Sequence, residues 1–470
     1  MYSATFLQDP DFIRVLYIVA FICFILGLRL LNHPRTARRG NMIAAVGMAI
    51  AVVATLLYDF VGDYLLIAVG IAVGTAVGVP AARSVKMTAM PQMVALFNGV
   101  GGGAVALIAF VEYRDELELL GRNPELEKLV PILLAAIIGS VSFWGSNIAF
   151  GKLQEILPGR PIQLPGQQIV NIVLLLVVVG CAVAIAAGTE SELLFLAILV
   201  GAAILGNMFV LPIGGADMPV VISLLNAFTG LSAAAAGVAL DNVALIVAGM
   251  LVGASGSILT AQMAEAMNRS IPNIVAGGFG GVTTAPSAAD GEQRPVRSTG
   301  AADVAIQLAY ASKVVVAPGY GMAVAQAQHT VRELADELEK RGIAVDYAIH
   351  PVAGRMPGHM NVLLAEADVS YDHLKEMDEI NPEFPQTDVA LVIGANDVTN
   401  PAARTQTDSP IYGMPILDVD KAGQVIVLKR SMNTGFAGID NPLFYNENTS
   451  LLFGDAKESV AAVLAEVKEL

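Results

Sequence analysis

Nine apolar runs dominate the first 263 positions of the chain, near 12–31, 40–57, 63–82, 88–111, 128–150, 167–187, 192–212, 217–238 and 241–263. A helix needs about 20 residues to cross the hydrocarbon core of a bilayer, so each run is long enough to span it. Beyond position 300 the pattern changes. Short apolar runs at 313–317, 344–349, 389–393, 424–428 and 451–453 read as strands, and Ile416 to Val419 as a candidate edge strand. Amphipathic stretches near 301–311, 322–341, 371–379 and 455–468 read as helices. Strands interleaved with crossover helices predict a parallel, doubly wound sheet. Between the two patterns, Gly277 to Gly300 is rich in Gly, Thr, Ala, Pro and Ser without hydrophobic period, the composition of a linker. The expected organisation is a polytopic α-helical membrane domain of nine spans over 1–270, a linker over 271–300, and an α/β Rossmann-like domain over 301–470.

Composition agrees with a membrane assignment. The chain is 55% hydrophobic and 15% charged, too apolar for a soluble globular protein of 470 residues. Residues 1–287 hold 13 Lys/Arg and 16 Asp/Glu, and residues 288–470 hold 14 and 26, so the carboxy-terminal part is acidic (14 − 26 = −12) and unsuited to nucleic acid. The first run lacks a basic leader and a small-residue cleavage site, which reads as a span and not as a removable signal. Arg35, Arg38 and Arg39 follow the first span, Arg83 and Lys86 the third, Lys152 and Arg160 the fifth, and Arg269 the ninth; the alternate connections are mostly acidic. The positive-inside rule then puts the amino terminus outside and the carboxy-terminal domain in the cytoplasm. Cys23 and Cys181 lie in apolar runs, with no metal or disulfide spacing.

Polar residues inside the spans are costly and therefore candidates for function, with interhelical hydrogen bonding as the plainer reading. Asn98 and Asn226 sit mid-span, Ser255 and Ser257 lie deep in the ninth span, and Asp217 opens the eighth. No histidine, lysine, arginine or carboxylate falls mid-span, so a proton crossing here needs water or a titrating residue from a partner chain.

In the soluble part, the strand from Lys313 to Ala317 runs into Gly319-Tyr320-Gly321, followed by Met322, Ala323 and a helix. Strand, glycine turn and helix start together form a candidate pyrophosphate site; a tight turn without a ligand is the alternative, and Val324 occupies the third glycine position of a dinucleotide fingerprint. Lys429-Arg430-Ser431 closes another strand, grouping two cations and a hydroxyl that suit a ribose 2′-phosphate and so NADP over NAD. Gly394 to Pro401 follows a third strand, where Asn396 and Asp397 can bond a nicotinamide or its ribose, or simply cap a turn. Arg355, in Gly354-Arg-Met-Pro-Gly358, is a candidate phosphate ligand on a turn, or part of a surface loop.

Nearly the whole chain resembles the beta subunits of the proton-translocating nicotinamide nucleotide transhydrogenases. The resemblance is carried by Gly-Gly-Ala-Asp-Met-Pro (214–219), Gly-Ala-Ser-Gly (253–256), Ala-Met-Asn-Arg-Ser (266–270), Ala-Pro-Gly-Tyr-Gly-Met-Ala-Val-Ala (317–325), the 354–367 segment, Gly-Ala-Asn-Asp-Val-Thr-Asn-Pro (394–401), Lys-Arg-Ser (429–431) and Leu-Phe-Gly-Asp-Ala-Lys (452–457). It implies that NADP(H) binds this chain with the segment from Asn400 to Ile416 as a lid, and that NAD(H) binds a partner alpha subunit or subunits. It also implies direct hydride transfer between the two rings, driven by inward proton movement in a dimer of alpha-beta units in a bacterial inner membrane. Residue by residue, it assigns Asp217, Asn226, Ser255 and Arg269 to the proton path, Asp397 to the nicotinamide as the candidate catalytic position, and Lys429, Arg430 and Ser431 to the 2′-phosphate. Many bacterial members of the family carry histidine where Asn98 stands, which points to a partner's membrane helix as the source of the titrating group. The rival expectation, from another functional class, is a channel or transporter gated by an NADP-sensing domain, without hydride chemistry.

Overall fold

The computed structural model describes residues 8–58, 62–85, 89–158, 161–214, 217–266, 271–272, 296–354, 358–407, 409, 411–435 and 438–470. Among these, nine helices have the length and apolar character of membrane spans. They are α1 (Pro10–Leu31), α2 (Pro34–Leu56), α3 (Tyr64–Ser84), α4 (Met90–Leu120), α5 (Leu126–Leu153), α6 (Gln167–Ala186), α7 (Glu192–Val210), α8 (Met218–Ala239) and α9 (Val243–Ala266). All nine predicted spans are present. The largest departure is α4, which continues nine residues past its expected end through Glu112 to Leu120 and stops at Gly121 in the left-handed region. Charge in that last stretch marks where the helix leaves the apolar layer, not where it ends.

With lipid as apolar as leucine, these helices are held by close approach and by hydrogen bonds, not by a hydrophobic driving force between them. Glycine makes the approach possible. A Cβ on Gly102 would lie 2.9 Å from the carbonyl of Gly139, and one on Gly139 would lie 2.7 Å from the carbonyl of Gly102, so α4 and α5 touch backbone to backbone. Gly230 on α8 meets Gly249 and Gly253 on α9 in the same way, and Gly206 on α7 meets Val141 on α5. The result is a bundle in which α5 and α8 are the most buried spans. Helix α3 stands apart: it buries no residue, and Gly70, Gly74 and Gly78 face open space.

The soluble part is a six-stranded, wholly parallel sheet of order β3-β2-β1-β4-β5-β6. The strands are β1 (Lys313–Pro318), β2 (Ala344–Ile349), β3 (Leu374–Glu376), β4 (Val389–Ile393), β5 (Gln424–Lys429) and β6 (Thr449–Phe453). Helices α10 (Ala301–Ala309), α11 (Tyr320–Val324), α12 (Gln328–Lys340), α13 (His359–Glu366) and α14 (Ala456–Glu469) connect or cover them. β1 and β4 carry continuous buried runs, as central strands covered on both faces must. One apolar layer, including Val316, Leu334, Leu391 and Val463, fills one face of the sheet, and another, including Val315, Phe384, Val427 and Leu443, fills the other.

The doubly wound sheet stands as predicted, with four local differences. The stretch expected as a helix over 371–379 is instead a helical turn, the short strand β3 and one turn of helix, because Tyr347 to Ile349 on β2 offers an edge that Leu374 to Glu376 pairs with. The helix expected over 322–341 is broken at Ala325–Ala327, where Gln326 adopts φ of 50° and Ala327 bonds back to Met322. Helix α13 had no prediction. Ile416 to Val419 is not a strand: the side chain of Asn381, not a neighbouring ladder, donates to the Ile416 carbonyl and accepts from Asp418 N–H. At the domain's start, Arg297 to Thr299 bond to Leu451, so the last residues of the expected linker line up beside β6.

Adding bulk where helix backbones touch forces them apart, at about 1–3 kcal/mol for an overpacked site. Gly139→Val is therefore expected to lower the thermal midpoint of the membrane half in detergent, whereas Gly180→Val, which meets nothing within 4 Å, leaves it unchanged. Equal midpoints for the two variants would contradict the packing described.

Candidate nucleotide site and membrane polar residues

The strand order reverses between β1 and β4, and in open α/β sheets ligands bind outside the carboxyl ends of the strands at that switch point. Three predicted segments converge on this edge. Gly319-Tyr320-Gly321 leaves β1, Gly394 to Asp397 leaves β4, and Lys429-Arg430-Ser431 leaves β5. The first two are locked together. Gly319 N–H donates to the Ile393 carbonyl and Gly321 N–H to the Gly394 carbonyl, each at 2.9 Å. A Cβ on Gly319 would fall 2.4 Å from Ala395 Cα, and one on Gly394, which has φ of 64°, would fall 2.4 Å from Gly321 Cα. These glycines are thus required by contact between two loops as well as by anything that binds above them. Met322 N–H also bonds within the chain, to the Gly319 carbonyl. Met322 and Ala323 are buried in α11, a helix of only five residues, and the ring of Tyr320 lies 6.2 Å from that of the buried His359.

The β4 and β5 loops form a second junction. Asn441 donates to both the carbonyl and the side-chain oxygen of Asn396 at 3.1 Å, and Asn400 donates to the Asp440 carbonyl at 3.1 Å. Gly435 packs so closely on Asn396 and Asp397 that a Cβ there would lie 2.6 Å from the Asp397 carboxylate. Lys429 stands at this junction, its ammonium 4.3 Å from the centre of the Phe444 ring. Burial pushes the Lys429 ammonium below the ordinary lysine range, against the pull of the Asp397 and Asp440 charges. Neither carboxylate forms an ion pair with it among the described residues. A partly desolvated cation of this kind favours an anionic ligand, and the adjacent Arg430 and Ser431 are exposed beside it. Arg355 lies outside the described residues.

The segment between the two junctions is held by its own contacts. Arg404 pairs with Asp418 and, at 3.0 Å, with Asp420; Lys421 pairs with Asp418 at 2.6 Å. His350, at the end of β2 and 1% exposed, bonds the Pro415 carbonyl through Nε2 at 2.8 Å and accepts Val352 N–H on Nδ1 at 3.2 Å. A proline carbonyl only accepts and an N–H only donates, so the tautomer is neutral with its proton on Nε2. His350, His359 and Asn441 carried no role in the sequence reading, and Asn400 entered only as the start of the lid and not as a partner of Asp440. The Asn-Pro pairs at 400–401 and 441–442 were the available signal, since each asparagine caps the turn that its proline opens.

In the membrane half, Asn98 is buried on α4 and donates to Ser146 Oγ at 2.9 Å and Ser142 Oγ at 3.4 Å on α5. Ser142 Oγ lies 2.6 Å from Thr229 Oγ1 on α8, and both hydroxyls reach the Leu225 carbonyl. The Asn98 side-chain oxygen is buried without a hydrogen-bond partner among the described residues. Asn226, the next residue after Leu225, is half-buried; Asp217 stands at the N-cap position of α8 without a side-chain capping bond to it. Ser255 is exposed on α9 and, among the described residues, bonds only its own helix, at Val252, so it is not drawn into the α4–α5–α8 cluster. Buried Thr260 instead carries the polar contact between α9 and α8, donating to Ser223 Oγ at 3.0 Å. Arg269 lies outside the described residues.

Nine membrane-length helices followed by a Rossmann-like parallel sheet define a polytopic membrane protein with an attached dinucleotide-type domain. The chain belongs to the family of NAD(P) transhydrogenase beta subunits, whose model matches residues 13–466. It is 52% identical over 454 residues to the NAD(P) transhydrogenase subunit beta of Rhodospirillum rubrum, covering 95% of this chain and 97% of that one. A second Rhodospirillum rubrum sequence of the same name matches equally. The chain is therefore a membrane subunit of a transhydrogenase, and the beta designation implies an alpha partner.

Burial pushes the His350 imidazole down to about 4, although its bond to Pro415 pulls the other way. The unfolded chain, with an ordinary histidine near 6.5, binds more protons than the folded one between these values, so stability rises with pH across that window. The contribution is complete above about pH 6.5 and falls by about 3 kcal/mol as pH drops to about 4. Unfolding of the soluble part, followed from pH 7 to 4, is expected to lose that much more in the wild type than in His350→Gln. Parallel curves would show that the His350 imidazole is not held buried and neutral in the folded protein.

Proposed function

We propose that this chain binds NADP(H) across the carboxyl edge of its sheet and exchanges hydride with NAD(H) held by a partner alpha subunit, coupled to inward proton movement through residues 1–270. The observation that carries the reading is Lys429: a partly desolvated ammonium at the end of β5, without an ion pair among the described residues and flanked by Arg430 and Ser431. Those three residues fit a phosphate dianion on the ribose, the feature that separates NADP from NAD. NADP, when bound, supplies a nicotinamide that gains or loses hydride. The residues of the chain supply position. Gly319 to Ala323 hold the β1 loop against the β4 loop, Asn396 and Asp397 face the nicotinamide end, and the lid from Asn400 to Ile416, anchored through Arg404 and His350, excludes water. Hydride transfer needs such positioning more than acid–base help.

In the membrane half, the Asn98–Ser142–Thr229 hydroxyl and amide cluster, with Asn226 and Asp217, supports a proton path, and Arg269 and Ser255 are assigned to it by family resemblance. The open glycine face of α3 supports contact with a membrane helix of a partner chain. The proposed domains are 1–270, a linker over 271–300, and 301–470, in a bacterial inner membrane with the soluble domain in the cytoplasm.

Lys429→Met removes the half-buried cation from the phosphate site. Titration of the intact complex is expected to show NADP⁺ affinity reduced about 10- to 100-fold with little change for an analogue lacking the 2′-phosphate. Equal losses for both ligands would remove Lys429 from the 2′-phosphate site.

A further inference from the structure

The cytoplasmic-side ends of α5 and α7 share a buried cation. Lys152, in the last turn of α5, is 3% exposed. Its Nζ donates to the carbonyls of Leu211 at 2.5 Å and Ile213 at 2.7 Å, just past the end of α7. No carboxylate of the described residues pairs with it. Burying an ammonium is expensive, and two helix carboxyl termini, each with a partial negative charge, are what offset it here. Neutral groups perform the other carbonyl contacts in the same layer. Gln167 donates to Met208 at 2.7 Å, Gln92 to Leu153 at 3.1 Å, and Ile162 N–H to Leu211 at 3.0 Å. Among these described contacts a full charge meets only the carbonyls of Leu211 and Ile213, shortly before Asp217, whose N–H bonds the Gly214 carbonyl at 3.1 Å as α8 begins.

We infer that Lys152 is a positioning residue for coupling: its charge clamps the Leu211 and Ile213 carbonyls, at the head of the segment that ends at Asp217, and so fixes the acid at the cytoplasmic mouth of the proton path. This rests on the proton-coupled transhydrogenase reading. Hydride transfer between nucleotides already bound lies in the soluble domains and does not require the clamp, whereas continuous turnover does.

The test uses the complete alpha-beta complex in sealed vesicles, comparing wild type with Lys152→Gln, Lys152→Met and Lys152→Arg. Single-turnover hydride transfer is measured by rapid mixing, and steady-state turnover with proton uptake by a pH-sensitive dye. Gln and Met are expected to lower proton-coupled turnover about tenfold or more, leaving single-turnover transfer within about twofold, and Arg to restore much of the turnover. Turnover in Lys152→Gln equal to wild type overturns the inference. So does a parallel loss of both steps, or failure of the Gln and Met variants to assemble, since either makes the role purely structural. A wild-type complex that transfers hydride without moving protons refutes the underlying reading instead, a result recognisable before any variant is compared.

Discussion

Backbone meeting backbone is the contact on which both halves depend. Gly102 against Gly139 and Gly230 against Gly249 and Gly253 bring helix axes together in a medium that supplies no hydrophobic force between them. Gly319 and Gly321 against Gly394 do the same for two loops at the switch point of the sheet. In each case a Cβ would occupy space already held by peptide atoms, which cannot rotate away as a long side chain can. The fold therefore fixes the positions of these backbones tightly, and the polar groups they carry inherit that precision. The Asn98, Ser142 and Thr229 cluster exists because α4, α5 and α8 approach closely, and the Asn396 to Asn441 junction exists because the β4 loop is pinned.

Charge is then placed where the two halves need it. Within the membrane bundle, hydroxyls and amides make most of the buried contacts, and among the described residues one lysine, Lys152, is fully buried, where two helix carboxyl termini converge. The soluble domain is acidic overall, yet its carboxyl edge offers Lys429 partly desolvated and Arg430 exposed. An acidic domain with a small cationic site repels anions in general and admits one where the local field reverses. Such an arrangement separates binding of a phosphate-bearing nucleotide from the handling of protons elsewhere in the chain.

Much of this was legible in the sequence, for physical reasons that differ along the chain. Apolar runs of about 20 residues have one stable outcome in a bilayer, so the spans were readable to within a few positions, except where α2 begins early through the charged Pro34 to Arg39 stretch and where α4 continues into water beyond Glu112. Central strands such as β4, buried on both faces, carry continuous apolar runs and were equally plain. β3 was not, because three residues of mixed polarity become a strand only when β2 offers an edge. The glycines of the β1 turn were visible, but half of their reason was not: Gly394, more than 70 positions away in sequence, fills the space beside them. Asn98 stood out as a polar residue in lipid, while its partners Ser142 and Ser146 looked like ordinary small packing residues until the fold set them beside it. Ser255 shows the reverse, a polar residue in a span that faces outward and bonds its own helix.

Hydride transfer at the sheet edge, in the function proposed, is tied to proton movement through the bundle. The most direct test follows NADH-dependent reduction of an NADP⁺ analogue together with internal pH, in sealed vesicles containing the intact complex. Coupling of the two steps predicts hydride transfer accompanied by a pH change that an uncoupler abolishes. Nucleotide binding without hydride transfer, in a complex retaining all its subunits, would contradict it and favour an NADP-gated transporter.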